Sequence, residues 1–269
     1  MKNPKFSEMT SSNYVDFNEE KINKWVDDER YWGDVCSPEE YAKAKSGDWD
    51  VALYCKPVPK AWFIPYLHNN RLDGVKILGL ASGGGQQIPI LQAVGANCTV
   101  MDYSASQLEC EQLVAKREGY EINLVKADMT QTFPFDNGSF YIIFHPISNH
   151  FVEDIYHVWH ECYRVLKPGG ILMAGMYKDW VYMMDDEGDQ LSVKYKLPFN
   201  PLKDRELYES YVEPDSDENL TFSHSLEECI DGQLKAKFTL TDLFEIKDES
   251  LYSQYNSIGF CTRAVKAGD

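Results

Sequence analysis

From residue 75 to residue 177 the chain alternates short apolar runs with longer stretches of helical period, and this alternation constrains the fold more than any other feature. "VKILGL", "NCTVMDY", "INLVKAD", "YIIFHP" and "GILMAGMY" are strand-length runs, nearly continuous in apolar residues. Strands buried on both faces read this way, whereas a strand with one wet face alternates polar and apolar residues. The segments between them are long enough for helices, so the pattern predicts βαβ units and a parallel sheet.

The predicted helices carry readable ends. Ser104 and Gln107 in "SASQLECEQLVAKREG" fit a capping box, and Gly119 falls where a left-handed C-terminal cap belongs. In "VEDIYHVWHECYRVLKPGG", Val152, Ile155, Tyr156, Trp159, Cys162, Tyr163 and Leu166 recur at spacings of three and four. This predicts one buried helical face, stopped by Pro168 and the glycines after it. Pro89 lies near the start of another helix, where its missing N–H does least harm.

The flanks have a different texture. Residues 1–70 hold Trp25, Trp32, Trp49 and Trp62 among acidic residues, and tryptophans of that number need burial, so this stretch is expected to form a helical cap. The main domain then runs over 71–269. Within it, 178–237 is acidic, polar and broken, and is expected to be an insertion or lid over the C-terminal edge of the sheet. Two strand-like runs follow, "TDLFEIKDE" and "SIGFCTRAV".

Charge and cysteine usage exclude several classes. With 26 Lys and Arg against 43 Asp and Glu, the net charge of -17 repels phosphate backbones and anionic membrane surfaces, which argues against nucleic-acid and membrane partners. No stretch reaches the length of an apolar membrane span and the first residues lack a signal-peptide pattern, so a cytoplasmic location is expected. The seven cysteines are scattered, never in a C-x-x-C pair, and read as reduced and mostly buried.

"KILGLASGGGQQIPIL" joins a strand, a glycine turn and a helix start. Such a junction sets backbone N–H groups and a helix dipole at the C-terminal edge of a parallel sheet, where ligands of open α/β sheets bind. Glycine serves there because a Cβ would block a ligand's approach or forbid a positive φ. A phosphate-binding P-loop is disfavoured, since no Gly-Lys-Ser/Thr follows. Asp102, ending the next strand in "TVMDYS", is placed to accept hydrogen bonds from both hydroxyls of a ribose. Loop and carboxylate together imply an adenosine-like ligand, leaving NAD and S-adenosylmethionine both open. Asp128 in "INLVKADMT" is placed to accept from an adenine amino group, and "FPFDNGSFYIIFHP", a helix and "YRVLKPGGIL" complete the series.

On these ordered motifs, residues 75–177 resemble a class I S-adenosylmethionine-dependent methyltransferase, and the A-S-G-G-G-Q-Q variant of the loop resembles a subset of uncharacterised bacterial members. The resemblance implies an α/β, doubly wound Rossmann-like sheet of seven strands, the last antiparallel and inserted beside the sixth, with the N-terminal helical cap and the insertion before the last two strands. It implies methyl transfer from S-adenosyl-L-methionine, leaving S-adenosyl-L-homocysteine, to the oxygen or nitrogen of a small molecule. It places the cofactor against Gly79, Ala81, Ser82, Gly83, Gly85, Gln86, Asp102, Tyr103, Gln107, Asp128, Met129 and His145. The family's usual acidic residue is Gly79 here, so the methionine ammonium is left to a backbone carbonyl, Gln86 or Tyr14.

By the same resemblance His145 ends the strand that faces the transferred methyl, and His145 and His150 are the catalytic candidates for base or substrate-orienting work. Histidine titrates in the range such work needs. His157 and His160 lack the H-E-x-x-H arrangement, so no metal is expected. His224 is a further candidate substrate contact, and the tryptophans of the cap are candidates for an aromatic wall. Two other readings stay open: a cofactor-binding protein without turnover, and a nicotinamide oxidoreductase.

Overall fold

The computed structural model describes residues 9–28, 34–185, 190–205 and 219–268. Its sheet is built from β1 (Lys76–Leu80), β2 (Asn97–Asp102), β3 (Asn123–Lys126), β4 (Phe140–His145), β5 (Leu166–Tyr177), β8 (Phe238–Ile246) and β9 (Gly259–Lys266). The order is β3-β2-β1-β4-β5-β9-β8. The pairs among β1 to β5 are parallel, whereas β9 runs antiparallel to both of its neighbours, so the last strand is inserted beside the sixth as the resemblance implies. A two-stranded hairpin, β6 (Met184–Asp185) with β7 (Ser192–Val193), lies in the stretch expected to be an insertion. Other parts of that stretch, 186–189 and 206–218, fall outside the described residues, as does Trp32.

Successive side chains of a strand point to opposite faces, and here they feed two separate cores. Ile77, Val100, Ile142, Phe144, Ile171 and Met173 pack with Ile88 and Leu91 of α3 (Gln87–Ala93). Leu78, Leu80, Met101, Ile143, Leu172 and Ala174 pack on the other side with Ile155, Val158, Trp159 and Cys162 of α5 (Ile155–Val165). This two-sided burial is why the strands read as unbroken apolar runs. Trp159 is completely buried, and its indole N–H still finds a partner in the carbonyl of Glu228. Fully burying a side chain of this kind contributes about 3 kcal/mol.

The helix ends depart from expectation in detail. In α4 (Ala105–Glu118) Ser104 accepts from the Gln107 amide and Gly119 caps the end at φ 74°, but the Gln107 side chain is drawn into the cavity wall described below. Only half of the capping box is therefore formed. The buried face of α5 uses Val158 and Val165 rather than Tyr156 and Tyr163, and the helix stops at Val165, so Pro168 belongs to β5. The helix ends before reaching the proline because Leu166 is already extended, at ψ 144°.

The N-terminal helix α1 (Tyr14–Asp27) lies across α4 and the C-terminal ends of the strands. Polar bonds hold it there. Asn23 Oδ1 accepts from Ser104, Asp27 from Ser106, Asp16 from the Tyr103 hydroxyl, and Glu19 pairs with Lys126 at 2.6 Å. Asn18 both donates to the Leu220 carbonyl and accepts from its amide, each at 2.9 Å. The side-chain amide thus copies a strand ladder and ties α1 to a segment 202 residues away. Further along, Trp49, Leu53, Trp62 and Phe63 join the sheet core directly. The two tryptophans are spent on packing and form no wall for a ligand.

Candidate functional site

A cavity of about 330 Å³ opens at the C-terminal ends of the strands, between β1 and β4, where the strand order reverses. Crevices at that reversal are where open α/β sheets bind ligands. Ala81, Ser82, Gly83, Gln86 and Gln87 form its rim after β1, while Met101 to Ser104 and Gln107 form the β2 side. Ala127 to Thr130 close it after β3, and Pro146, Ile147, Ser148, Phe151 and Val152 form the wall after β4. Val15, Asn18, Glu19 and Ile22 of α1, with Leu53 and Tyr54, cover the remainder.

The glycine loop turns its donors inward. Gly83 N–H donates to Asp102 Oδ2 at 3.0 Å, Gly84 N–H to the Gln107 carbonyl at 2.9 Å, and Gly85 N–H to Glu111 Oε1 at 2.9 Å. The expected display of N–H groups to a ligand is therefore corrected, because each of these donors is consumed by the protein. The glycines serve packing: a Cβ on Gly83 would lie 2.7 Å from Gln107 Cβ, and one on Gly85 would lie 2.9 Å from the Cys110 carbonyl. Gly85, at φ 68°, also needs left-handed backbone, and so does Ala81 at φ 45°. A dinucleotide needs free N–H groups or cations for its diphosphate, and among the described lining residues there is no Lys, Arg or His. The nicotinamide reading loses its footing on these two observations.

What the cavity does present is carboxylate and apolar surface. Asp102 accepts from Gly83 N–H through Oδ2 and from Ser104 N–H at 2.9 Å through Oδ1, which leaves each oxygen a further lone pair. Burial pushes its carboxyl above the ordinary range, against the pull of those backbone donors. Asp128 is held by Thr130, whose amide donates to Oδ1 at 2.8 Å and whose hydroxyl donates to Oδ2 at 2.7 Å. Met101, Ala127, Met129 and Ile22 supply apolar surface between these carboxylates. A ribose with a flat purine, joined to an uncharged or cationic tail, matches this set of acceptors and apolar surface.

Several expected site residues lie elsewhere. His145 is completely buried and absent from the cavity wall. Its Nδ1 faces the Leu80 carbonyl at 2.8 Å, its Nε2 faces Asn149 Oδ1 at 2.7 Å, and its ring packs edge-on against Trp159. Burial lowers its pKa. The expectation that it works at the methyl is corrected, since the side chain points under the sheet edge while Pro146 to Ser148 take the wall. His150 sits behind the same wall against Phe151 and Tyr177, with burial and then the nearby His224 driving its imidazole down to about 3. His224 itself bonds to the Asn149 carbonyl at 3.2 Å and lines no part of the cavity. Neither His150 nor His224 is placed for base work.

Gly79 and Gly85 are buried under the loop and do not line the cavity either. A Cβ at position 79 would collide with Ser82 Oγ and lie 2.6 Å from Ile88 Cδ1, so this loop has no room for the acidic residue that the family usually carries there. Tyr14 is no substitute for it, because its hydroxyl is buried and accepts from the Glu153 amide at 3.0 Å. Ala81, Ser82, Gly83, Gln86, Asp102, Tyr103, Gln107, Asp128 and Met129 do converge on the cavity. The face of α1, with Asn18 and Glu19, and the wall of Leu53, Tyr54 and Phe151 carry no motif and went unread in the sequence. Glu111 also went unread, although a carboxylate within the stripe Leu108, Glu111, Val114 and Ala115 is a visible anomaly.

Comparison with known proteins places this geometry among relatives. The model of the methyltransferase domain matches residues 78–174. The uncharacterised methyltransferase YbaJ of Bacillus subtilis is 38% identical over 94% of this chain and 98% of its own. The structure of the 1,6-didemethyltoxoflavin-N1-methyltransferase of Burkholderia thailandensis, with 1,6-didemethyltoxoflavin and S-adenosylhomocysteine bound, covers 96% of this chain and 91% of that one at a TM-score of 0.59 and 13% identity. The geranyl diphosphate C-methyltransferase of Streptomyces coelicolor covers 77% of this chain and 76% of its own at a TM-score of 0.53 and 14% identity. At these identities the two structures speak for the fold alone.

Proposed function

From the premise that this chain belongs to the class I S-adenosylmethionine-dependent methyltransferases, we propose that it methylates the oxygen or nitrogen of a small molecule with an apolar body. The chain is an enzyme and S-adenosyl-L-methionine is its cofactor. The observation that carries the acceptor reading is the division of the cavity: carboxylates gather after β2 and β3, whereas Leu53, Ile147, Phe151 and Val152 make an apolar wall around the end of β4.

In this reading Asp102 accepts from the ribose hydroxyls, and Asp128 accepts from the adenine amino group. Met101, Tyr103, Ala127 and Met129 flank the purine. Gln86 and Gln87 meet the methionine end with neutral amides, in place of the carboxylate that Gly79 lacks. When bound, the cofactor supplies a sulfonium methyl group open to in-line displacement. The apolar wall excludes water and holds a nucleophile in line, which is the main catalytic task in such a transfer. With no histidine among the described residues of the wall, the acceptor brings its own lone pair at neutral pH, as an unprotonated amine or an acidic hydroxyl does.

The cap over 1–70 and the insertion over 178–237 are assigned here to acceptor selection. The support is that α1 faces the cavity while Asn18 binds Leu220. A cytoplasmic enzyme without nucleic-acid or membrane partners is the accompanying proposal. The charge of -17 supports it, and no helix among the described residues is long and apolar enough to cross a membrane.

The test is turnover. The protein, supplied with methyl-labelled cofactor and pools of apolar amines and phenols, should release S-adenosylhomocysteine and pass label to an extractable product. Label found only on protein or nucleic acid would refute the small-molecule reading. A carbon-bound methyl in the product would refute the choice of oxygen or nitrogen and align the chain with C-methyltransferases such as the geranyl diphosphate enzyme.

A further inference from the structure

Gly85 is held from both sides. Its amide donates to Glu111 Oε1 at 2.9 Å, and its carbonyl accepts from Cys36 N–H at 2.7 Å. The Cys36 carbonyl in turn accepts from the Arg117 guanidinium. Two residues of α4, Glu111 and Arg117, thereby fix the last glycine of the loop and the cap segment crossing it. Gly85 admits no larger residue, since a Cβ added there would lie 2.9 Å from the Cys110 carbonyl oxygen and 3.1 Å from Val35 Cγ1.

Glu111 is completely buried, and its second oxygen, Oε2, has no hydrogen-bond partner. A carboxyl in such a place costs several kcal/mol if ionised without a cation, so its presence in an apolar helix stripe calls for a use. The groups facing it are Asp102 on β2, Cys98 on the same strand, Cys110 on α4, Cys36 in the cap and Tyr120 after α4. None of them is a cation. We propose that Glu111 is the positioning residue of the cofactor loop, its buried Oε1 setting where Gly85 sits and so where Ala81 to Gly83 meet the cofactor. The proposal rests on the cofactor reading above and adds to it a group that touches neither cofactor nor acceptor.

A mere packing role and a positioning role make different demands. A positioning carboxyl needs an acceptor oxygen and needs to stay uncharged, and burial, with Asp102 nearby, raises its pKa to about 8. As the pH passes that value the carboxyl ionises, and although the Gly85 amide favours the anion, the cost of an uncompensated buried charge near Asp102 displaces the loop. Glutamine keeps the acceptor and cannot ionise, whereas leucine keeps the volume and loses the acceptor.

The experiment is calorimetric titration of S-adenosylhomocysteine into wild type, Glu111→Gln and Glu111→Leu between pH 6.5 and 9.5, with far-UV circular dichroism to establish that each is folded. Wild type should lose about tenfold in affinity from pH 7 to 9.5, one unit of ionisation linkage being tenfold. Glu111→Gln should bind as wild type does at pH 7 and hold that affinity, apart from the ionisation of the nucleoside's own amine, which moves all three proteins alike. Glu111→Leu should bind at least tenfold more weakly at every pH. Wild-type affinity in Glu111→Leu would overturn the proposal, as would identical pH profiles for wild type and Glu111→Gln. Wild type that bound no S-adenosylhomocysteine at any pH would overturn the cofactor reading itself.

Discussion

Gly83 and Asp102 are joined by a 3.0 Å hydrogen bond from the loop amide to the carboxylate that ends β2. One side chain therefore does two things: it closes the glycine loop onto the neighbouring strand and it keeps lone pairs free at the cavity. Changes at this residue should separate the two effects.

Asp102→Asn retains the shape and an acceptor oxygen for one of the two backbone amides, but loses the charge-assisted bonds to hydroxyls. Such bonds contribute about 1.5–3 kcal/mol each, so S-adenosylhomocysteine affinity should fall by roughly ten- to a hundredfold. The unfolding midpoint should change by only a few degrees. Ligand-dependent thermal shifts report both quantities, because a ligand that binds only the native state stabilises it by RT ln(1 + L/Kd) at free ligand concentration L.

Stability should depend on pH through Glu111. In the fold its carboxyl keeps its proton up to about 8, whereas the ordinary value is 4.5. The native state thus holds a proton that the unfolded chain has released, and stability falls as the pH rises between those limits. The contribution is complete below pH 4.5 and lost by about pH 8. Urea unfolding at pH 9 should find Glu111→Gln more stable than wild type by on the order of 5 kcal/mol, and the difference should vanish below about pH 4.5.

Asn18→Ala removes the single side chain that satisfies both backbone groups of Leu220, itself completely buried. Leaving two buried polar groups unpaired costs about 2–5 kcal/mol in total. Hydrogen exchange at the Leu220 amide should accelerate by at least thirtyfold, while the amides of β1 keep their protection.

His145 should behave as a structural residue. Replacing it with alanine takes a partner from the Leu80 carbonyl and from Asn149 Oδ1, although the Asn149 side-chain nitrogen still donates to the Gly175 carbonyl, and leaves a void beside Trp159, so stability should drop by about 3 kcal/mol. Below the melting temperature, S-adenosylhomocysteine affinity should change less than threefold. Burial lowers the pKa of the ring from 6.5, so its NMR signals should not titrate between pH 6.5 and 8.

The strands β1, β2, β4 and β5 were legible because they are buried on both faces and so read as apolar runs, and the sheet order followed from the resemblance those runs and motifs carried. Asp102 and Asp128 were legible as carboxylates placed at strand ends. His145 misled because a strand end does not announce which face its last side chain takes. A shift of one residue moves a side chain to the other side of the sheet, and here Pro146 to Ser148, not His145, reach the cavity. The glycines misled in another way, since a glycine needed for approach to a helix looks the same as one needed for approach to a ligand. The pair Asn18 and Leu220 joins segments 202 residues apart, and no local pattern marks it.

The most direct measurement is calorimetric titration of the wild-type protein at pH 7 with S-adenosylhomocysteine and, separately, with NAD. The Gly83, Gly84 and Gly85 amides are spent on Asp102, Gln107 and Glu111, and the described cavity wall offers no cation for a diphosphate. The account therefore predicts one-site binding of S-adenosylhomocysteine in the micromolar range and no heat from NAD. Binding of NAD with comparable affinity, or no binding of S-adenosylhomocysteine, would contradict it.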